Sequence, residues 1–229
     1  MAKKIYLSPS EQYCNLYATG DTNEMIQCNR IAEAAKTALT RCGFEVKKAP
    51  QGQDMMVTIR ESNAWGADLH IPIHTNAYNG KVTGGTLVML YADKAENNKA
   101  GKAILDAVKP LTPGSDYTIR YRPELAELNA TNAIAVYLEV EFHDTPDGAK
   151  WIINNVTAIG EAIAKGVCSY YGVKYVAPAT VADKNVGNKI YRVQIGAFSD
   201  PNNAEAQLAK AKAAGFKDAF ISESEVQVK

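Results

Sequence analysis

The sequence has no surplus of either charge: 25 lysines and arginines balance 25 aspartates and glutamates. Proteins that bind nucleic acid or an anionic membrane do so through a basic excess, so neither partner is expected. Nor is there an apolar run long enough to span a bilayer, which excludes membrane insertion by a helix. The opening "MAKKIYLSPS" carries two lysines but no long apolar region and no small-residue cleavage site. No secretory leader is therefore expected, and the anticipated location is cytoplasmic until release onto the cell wall, or export by a route that needs no signal peptide. The cysteines are few (Cys14, Cys28, Cys42 and Cys168), and no two form a C-x-x-C pair. That spacing suits neither a zinc knuckle nor a disulfide frame. Histidine is scarcer still, with only His70, His74 and His143.

What is present is an alternation of short β-like runs and amphipathic helices. "KIYLS" reads as a strand and "TNEMIQCNRIAEAAKTALTRCG" as a helix stopped by Gly43 in a left-handed cap. "ADLHIPIH", "GGTLVMLYA" and "AIAVYLEVEF" are further strands, separated and followed by helical segments. The pattern predicts an α/β fold: a central, mostly parallel twisted sheet with helices on both faces. After residue 174 the periodicity stops in a stretch mixing Pro, Ala, Gly and Asn, which reads as a linker over 175–188. Residues 189–229 then read as strand, capped helix (Asp200 or Asn203 as cap), Gly215 stop and strand, a small C-terminal βαβ module.

Ionisable residues fall at element ends. At about 3.6 residues per turn, Glu24 shares the apolar stripe of the first helix with Cys28, Ile31, Ala35, Ala38 and Cys42. Glu24 is either the third residue of a capping box opened by Asp21 or a core-facing carboxylate that needs a cation. In "HIPIHTN" His70, Pro72 and His74 share one face of a strand. The two histidines lie about 13 Å apart if extended, too far to bind one metal. His74, at the carboxyl end, is the ligand candidate, and Pro72 predicts a bulge or an unpaired backbone group. "YLEVEFHD" places Glu139, Glu141 and His143 on one face if it stays extended. They belong either to a solvent-facing edge strand or to a site. Glu24, His74 and one of Glu139 or His143 compose a His/Glu zinc site with an open position, the remaining carboxylate serving as base.

These segments resemble the zinc-dependent N-acetylmuramoyl-L-alanine amidases of the amidase_3 type over about residues 4 to 173. "PIHTN" is similar to that family's S-I-H-x-N strand end and implies His74 as a zinc ligand. "TNEMIQCNRIAEAAKTALTRCGFEV" matches the helix that supplies a glutamate ligand, here Glu24. "AIAVYLEVEFHD" matches the L-V-E-x-G-F segment and implies Glu139 as the catalytic base. The family's Asp-Pro-Gly-His-Gly loop departs: "YLSPSEQ" keeps Pro9, but Ser8 replaces the Asp and Glu11 stands where the histidine belongs. Either His143 or Glu11 then completes the set, with His143 favoured as the remaining histidine at a strand end. The tail "YRVQIGAFSDPNNAEAQLAKAKAAGFKDAFI" is similar to the first half of SPOR repeats, which bind peptidoglycan glycan strands.

The resemblance implies one Zn2+ per chain and hydrolysis of the amide between N-acetylmuramic acid and the L-alanine of the stem peptide, as in an endolysin or autolysin. Asn76 and the Tyr or Arg residues of "YTIRYRPEL" are groove candidates. Two other readings stand beside it: a noncatalytic peptidoglycan-binding protein that has lost the metal, and a zinc hydrolase acting on a soluble amide. Oligomeric state is not readable from this sequence.

Overall fold

The computed structural model describes residues 2–80, 84–115, 117–179, 193–216 and 218–223. The chain divides into two compact units, Met1–Pro178 and Ala179–Lys229. In the first unit the elements run β1 (Lys4–Pro9), α1 (Glu24–Arg41), β2 (Glu45–Lys48), α2 (Met55–Trp65), β3 (Leu69–Asn76), β4 (Leu87–Leu90) and α3 (Ala95–Val108). They continue as β5 (Thr118–Tyr121), α4 (Ala126–Asn129), β6 (Ile134–Ala135), β7 (Tyr137–Phe142) and α5 (Pro146–Tyr171). The sheet order is β2-β1-β3-β7-β4-β5, with β6 paired to β3. Every pairing is parallel except β4 with β7.

The alternation along β1 and β3 decides which layer each side chain joins. Ile5, Leu7, Leu69, Ile71 and Ile73 bury into one large core with Ile31, Ala35 and Leu39 of α1, Ile104 of α3 and Ile159 and Ile163 of α5. Tyr6 and His70 face the other way and stack on each other at 5.5 Å, with Trp65 of α2 edge-on to Tyr6. Helices thus cover both faces of the sheet. Gly160 lets α5 cross close to α1: a Cβ there would stand 2.5 Å from that of Ala34 and 2.6 Å from the Ala35 nitrogen. All four cysteines are free thiols, Cys28 and Cys42 buried among them.

Pro72 lies in an interior strand, paired to Ser8 of β1, and its effect appears on the opposite side. The His70 carbonyl accepts from Val136 N at 3.0 Å, but Pro72, two residues on, has no N–H to return to that neighbour. The ladder breaks at Val136, which is why β6 and β7 are separate strands. A second irregularity follows where His74 pairs with Glu139 but Asn76 pairs with Phe142, so β7 carries one extra residue.

The second unit contains α6 (Pro201–Ala213), capped by the Asp200 side chain on Asn202 N at 2.9 Å, with Gly215 left-handed beyond its end. The strands expected on either side are not formed among the described residues: 193–198 and 218–223 join no ladder, and Val193 and Phe220 are exposed. A strand exists through its partner, and two short segments around one helix have only each other. The rest of those segments, and the expected linker from residue 180 onward, lie outside the described residues. Among the described residues no helix is long and apolar enough to cross a membrane.

Candidate functional site

The end of β1 and the loop after it, the first turns of α2, His74 of β3, α4 and the start of β7 build a cleft of about 230 Å³ lined by Ser10, Gln12, Met55, His74, Glu127 and Tyr137 among others. This is where the carboxyl ends of such strands place binding groups. Glu24 enters from the first turn of α1. The helix is capped not by Asp21, which has a φ of 47°, but by Asn23, whose side chain accepts from Ile26 N at 3.0 Å. The shift of two residues matters. Glu24 becomes the first helical residue rather than the third, so its carboxylate is not folded back as a capping box and turns inward instead.

There Glu24 meets His74, whose Nδ1 is 2.8 Å from Glu24 Oε1. Glu24 Oε2 accepts from Asn15 Nδ2 at 2.6 Å, and Asn15 Nδ2 also reaches Gln12 Oε1 at 2.6 Å. The other ring nitrogen of His74, Nε2, faces Glu127 Oε2 at 3.7 Å. Glu127 in turn accepts from Ser8 Oγ and, at 3.3 Å, from His70 Nε2, while Ser62 Oγ is 3.0 Å from His70 Nδ1. Tyr137 covers the His74 ring in a stack of 4.4 Å and 18°.

Both nitrogens of His74 therefore face carboxylates. Burial acts to lower its pKa, but the hydrogen bonds to Glu127 and Glu24 and the charge of Glu139 carry it up to about 10. Burial likewise acts to raise Glu127, yet the partnership with His70 and His74 holds it at about 2. Glu24 is also lowered, against its own desolvation, by His74, Asn15 and Ser10.

Glu139 lies beside His74 in the paired strand. Its Oε2 is buried with no hydrogen-bond partner. Desolvation lifts its carboxyl to about 7, with His74 opposing and Glu24 reinforcing the rise.

The extra residue in β7 prevents Glu139, Glu141 and His143 from sharing a site. Glu141 is fully buried and accepts from Gly85 N and Phe142 N, both at 3.0 Å. His143 stacks on Tyr17 at 5.0 Å, and its Nδ1 lies 2.9 Å from Thr75 Oγ1 and 3.0 Å from Thr75 O. His143, the ring expected to join Glu24 and His74, is hydrogen-bonded to Thr75 and makes no hydrogen bond to either of them among the described residues. Glu11 makes no side-chain hydrogen bond in the described structure, although it borders the cleft. Of the groove candidates, Asn76 Oδ1 accepts from Ala77 N, Arg122 pairs with Glu124, and Tyr121 reaches Asp93 and Asn98.

Sequence reasoning missed Glu127, Gln12, Asn15 and Tyr137. Gln12 and Asn15 are polar residues in an irregular loop, and Glu127 belongs to a helix of four residues. The only sequence signal at Glu127 is a carboxylate between apolar residues, Ala126 and Leu128, in "LAEL".

Among the described residues no group of three or more His, Cys, Asp or Glu side chains is gathered as a metal cage. Glu24 and His74 still offer a carboxylate oxygen and an imidazole nitrogen 2.8 Å apart, a donor pair that suits zinc. Three carboxylates surround one imidazole, and one of them has an unpartnered buried oxygen. Such a surplus of negative charge fits a bound cation.

Comparison with known proteins agrees with the fold. The catalytic domain of CwlV, an N-acetylmuramoyl-L-alanine amidase from Bacillus (Paenibacillus) polymyxa var. colistinus, superposes with a TM-score of 0.67 at 16% identity, covering 75% of this chain and 99% of that one. An N-acetylmuramoyl-L-alanine amidase from Clostridium difficile 630 gives 0.65 at 20% identity, covering 75% and 97%. The catalytic domain of the CD27L endolysin, which targets Clostridia difficile, gives 0.60 at 22% identity, covering 72% and 96%. No curated protein matches the sequence. The SPOR domain model matches residues 178–228. The amidase model, described as N-acetylmuramoyl-L-alanine amidase, matches residues 14–169, most of the chain, and the protein belongs to that family.

Proposed function

We propose that this chain is a zinc-dependent hydrolase cleaving the amide bond between N-acetylmuramic acid and the L-alanine of the peptidoglycan stem peptide. The observation that carries the reading is Glu139: a carboxyl near 7, in register with His74, with a buried oxygen that no group among the described residues satisfies. Glu24 and His74 are the residues that would hold zinc. Held there, zinc would supply Lewis acidity toward the scissile carbonyl and would lower the pKa of water near it toward neutrality.

Glu139 takes the proton of the attacking water and delivers it to the departing alanine nitrogen, so the C–N bond breaks with hydroxyl on carbon and hydrogen on nitrogen. Tyr137 shields one face of His74, and Glu127 fixes the ring from its far side. The SPOR-matching tail would hold the enzyme on glycan strands.

The test is digestion of purified peptidoglycan with the full chain, scoring newly freed L-alanine amino termini. Such termini, lost on chelation, restored by zinc and abolished in Glu139→Gln with zinc still bound, support the reading. Turnover in Glu139→Gln above about a tenth of wild type would show that another group is the base. The scarcity of strong ligands beside Glu24 and His74 favours one rival, a wall-binding protein without catalysis. That rival predicts no zinc uptake and no new termini.

A further inference from the structure

Away from the cleft, the fold brings together two thiols that lie far apart in sequence: Cys42, which caps the end of α1, and Cys168 in the last turn of α5. The two helices run side by side and in step. Ala34 and Ala35 meet Gly160, and further along the Phe44 ring lies 5.9 Å from that of Tyr171. Cys42 follows Ala34, and Cys168 follows Gly160, by the same rise of about 12 Å, so the thiols come level between those two contacts. Both are buried in the main core. Burial and the adjoining Cys42 thiol push the Cys168 thiol up to about 12. A short strap covers the pair. The chain reverses at Gly172, in the left-handed conformation, and Val173 N donates to the Cys168 carbonyl at 2.9 Å. Val176 N then donates to Cys42 Sγ at 3.3 Å, and Arg41 Nε donates to the Val176 carbonyl at 2.9 Å. Val173 and Val176 are exposed, so polar contacts carry much of the strap's hold.

We propose that Cys42 and Cys168 are a redox pair, which a small-molecule disulfide converts into a cross-link stapling the ends of α1 and α5 together. One cysteine attacks a sulfur of oxidised glutathione and releases the first glutathione thiol. The other cysteine attacks the resulting mixed disulfide and releases the second. Two protein thiols are thereby oxidised, one small disulfide is reduced, and the two thiol protons leave on the two glutathiones. With the strap down both thiols are shielded, and Cys168 stays protonated at neutral pH, so lifting of the strap sets the rate. The cross-link closes a loop from β2 to the end of α5, which restricts the unfolded chain far more than the folded one. Nothing in this pairing depends on the metal, and neither cysteine lines the cleft.

The test is incubation of the full chain with oxidised glutathione, trapping of the remaining thiols with a maleimide, and peptide mapping by mass spectrometry. A peptide joining Cys42 to Cys168 is expected, with the exposed Cys14 carrying only a mixed disulfide. The oxidised chain should melt about 5–10 °C higher than the reduced one. Cys42→Ser and Cys168→Ser should each abolish the link, and Cys28→Ser should keep it. Arg41→Ala, which frees the strap, should form the link about tenfold faster. The mapping of wild type decides the pairing even if a serine variant fails to fold. Cys42 and Cys168 recovered as thiols in both wild type and Arg41→Ala, or linked to Cys14 or Cys28 instead, overturn the pairing. A linked chain that melts no higher overturns the staple, and an unchanged rate in Arg41→Ala overturns the gating by the strap.

Discussion

Removing the charge of Glu127 is the perturbation that most directly probes how the His74 ring is held. Its Oε2 lies 3.7 Å from His74 Nε2, while Ser8 and His70 steady the same carboxylate from behind. At that separation and an effective dielectric near 20, a full ion pair is worth about 4 kcal/mol before desolvation is counted. Part of this is offset by keeping both groups out of water. What remains would act, through the ring, on the zinc proposed above: a carboxylate behind a ligating histidine fixes its orientation and raises its basicity, typically worth about 10- to 100-fold in metal affinity.

Glu127→Gln keeps the volume and the contacts to Ser8 and His70, so the variant should melt close to wild type while binding zinc about 10- to 100-fold more weakly. Competition with a chelating dye reads the affinity, and the nitrogen chemical shifts of His74 report the lost partner at Nε2. Glu127→Ala strips three buried groups of their acceptor and should cost about 3–5 kcal/mol of stability. Zinc affinity of Glu127→Gln within about threefold of wild type, with the His74 shifts unmoved, would refute the coupling.

Three further outcomes follow from the geometry. Glu141 is fully buried with a carboxyl pushed up by burial to about 7. Its folded pKa exceeds the unfolded one, so its stabilisation is complete below about pH 4.5 and is lost as pH rises through 7, up to about 3 kcal/mol. Urea melts of Glu141→Gln against wild type should show that part of the slope gone, and an identical slope would contradict the assignment. Gly84 has a φ of 108°, and a Cβ there would stand 2.6 Å from Glu141 Oε1 and 2.8 Å from Pro113 O. Gly84→Ala should therefore destabilise by about 1–3 kcal/mol in the same melts, whereas a neutral result would mean that the loop relaxes freely. Asn23→Ala removes the cap of α1 and should lower stability by about 1 kcal/mol and zinc affinity with it, while Asn23→Asp should retain both.

The sheet, its helical layers and the meeting of Glu24 with His74 were legible because each rests on a period. His74 was placed by alternation along a strand, and Glu24 by the apolar stripe of α1. The cap of that helix was misplaced because Asp21 and Asn23 are both good cap formers, and only the backbone distinguishes them: Asp21 is left-handed and Asn23 extended. Whether Glu141 and His143 share the face of Glu139 depended on the strand staying extended, and a bulge leaves no mark on a run of six strand-forming residues. Pro72 announced an interruption of the ladder, but not on which side, which depends on the strand order. Gln12, Asn15 and Glu127 were invisible for a common reason. They lie in a loop and a four-residue helix, outside any periodic element, and the fold alone brings them to His74 across 62, 59 and 53 residues of chain.

The close crossing at Gly160 reaches further than the packing of two helices. With backbone against backbone, α1 is denied the small slides along α5 that bulkier contacts tolerate, and Glu24 rides at the tip of this immobilised rod. If the proposed zinc is held there, its escape would be tied to the opening of the whole helical layer, and zinc off-rates and amide exchange along α1 should then share one activation barrier.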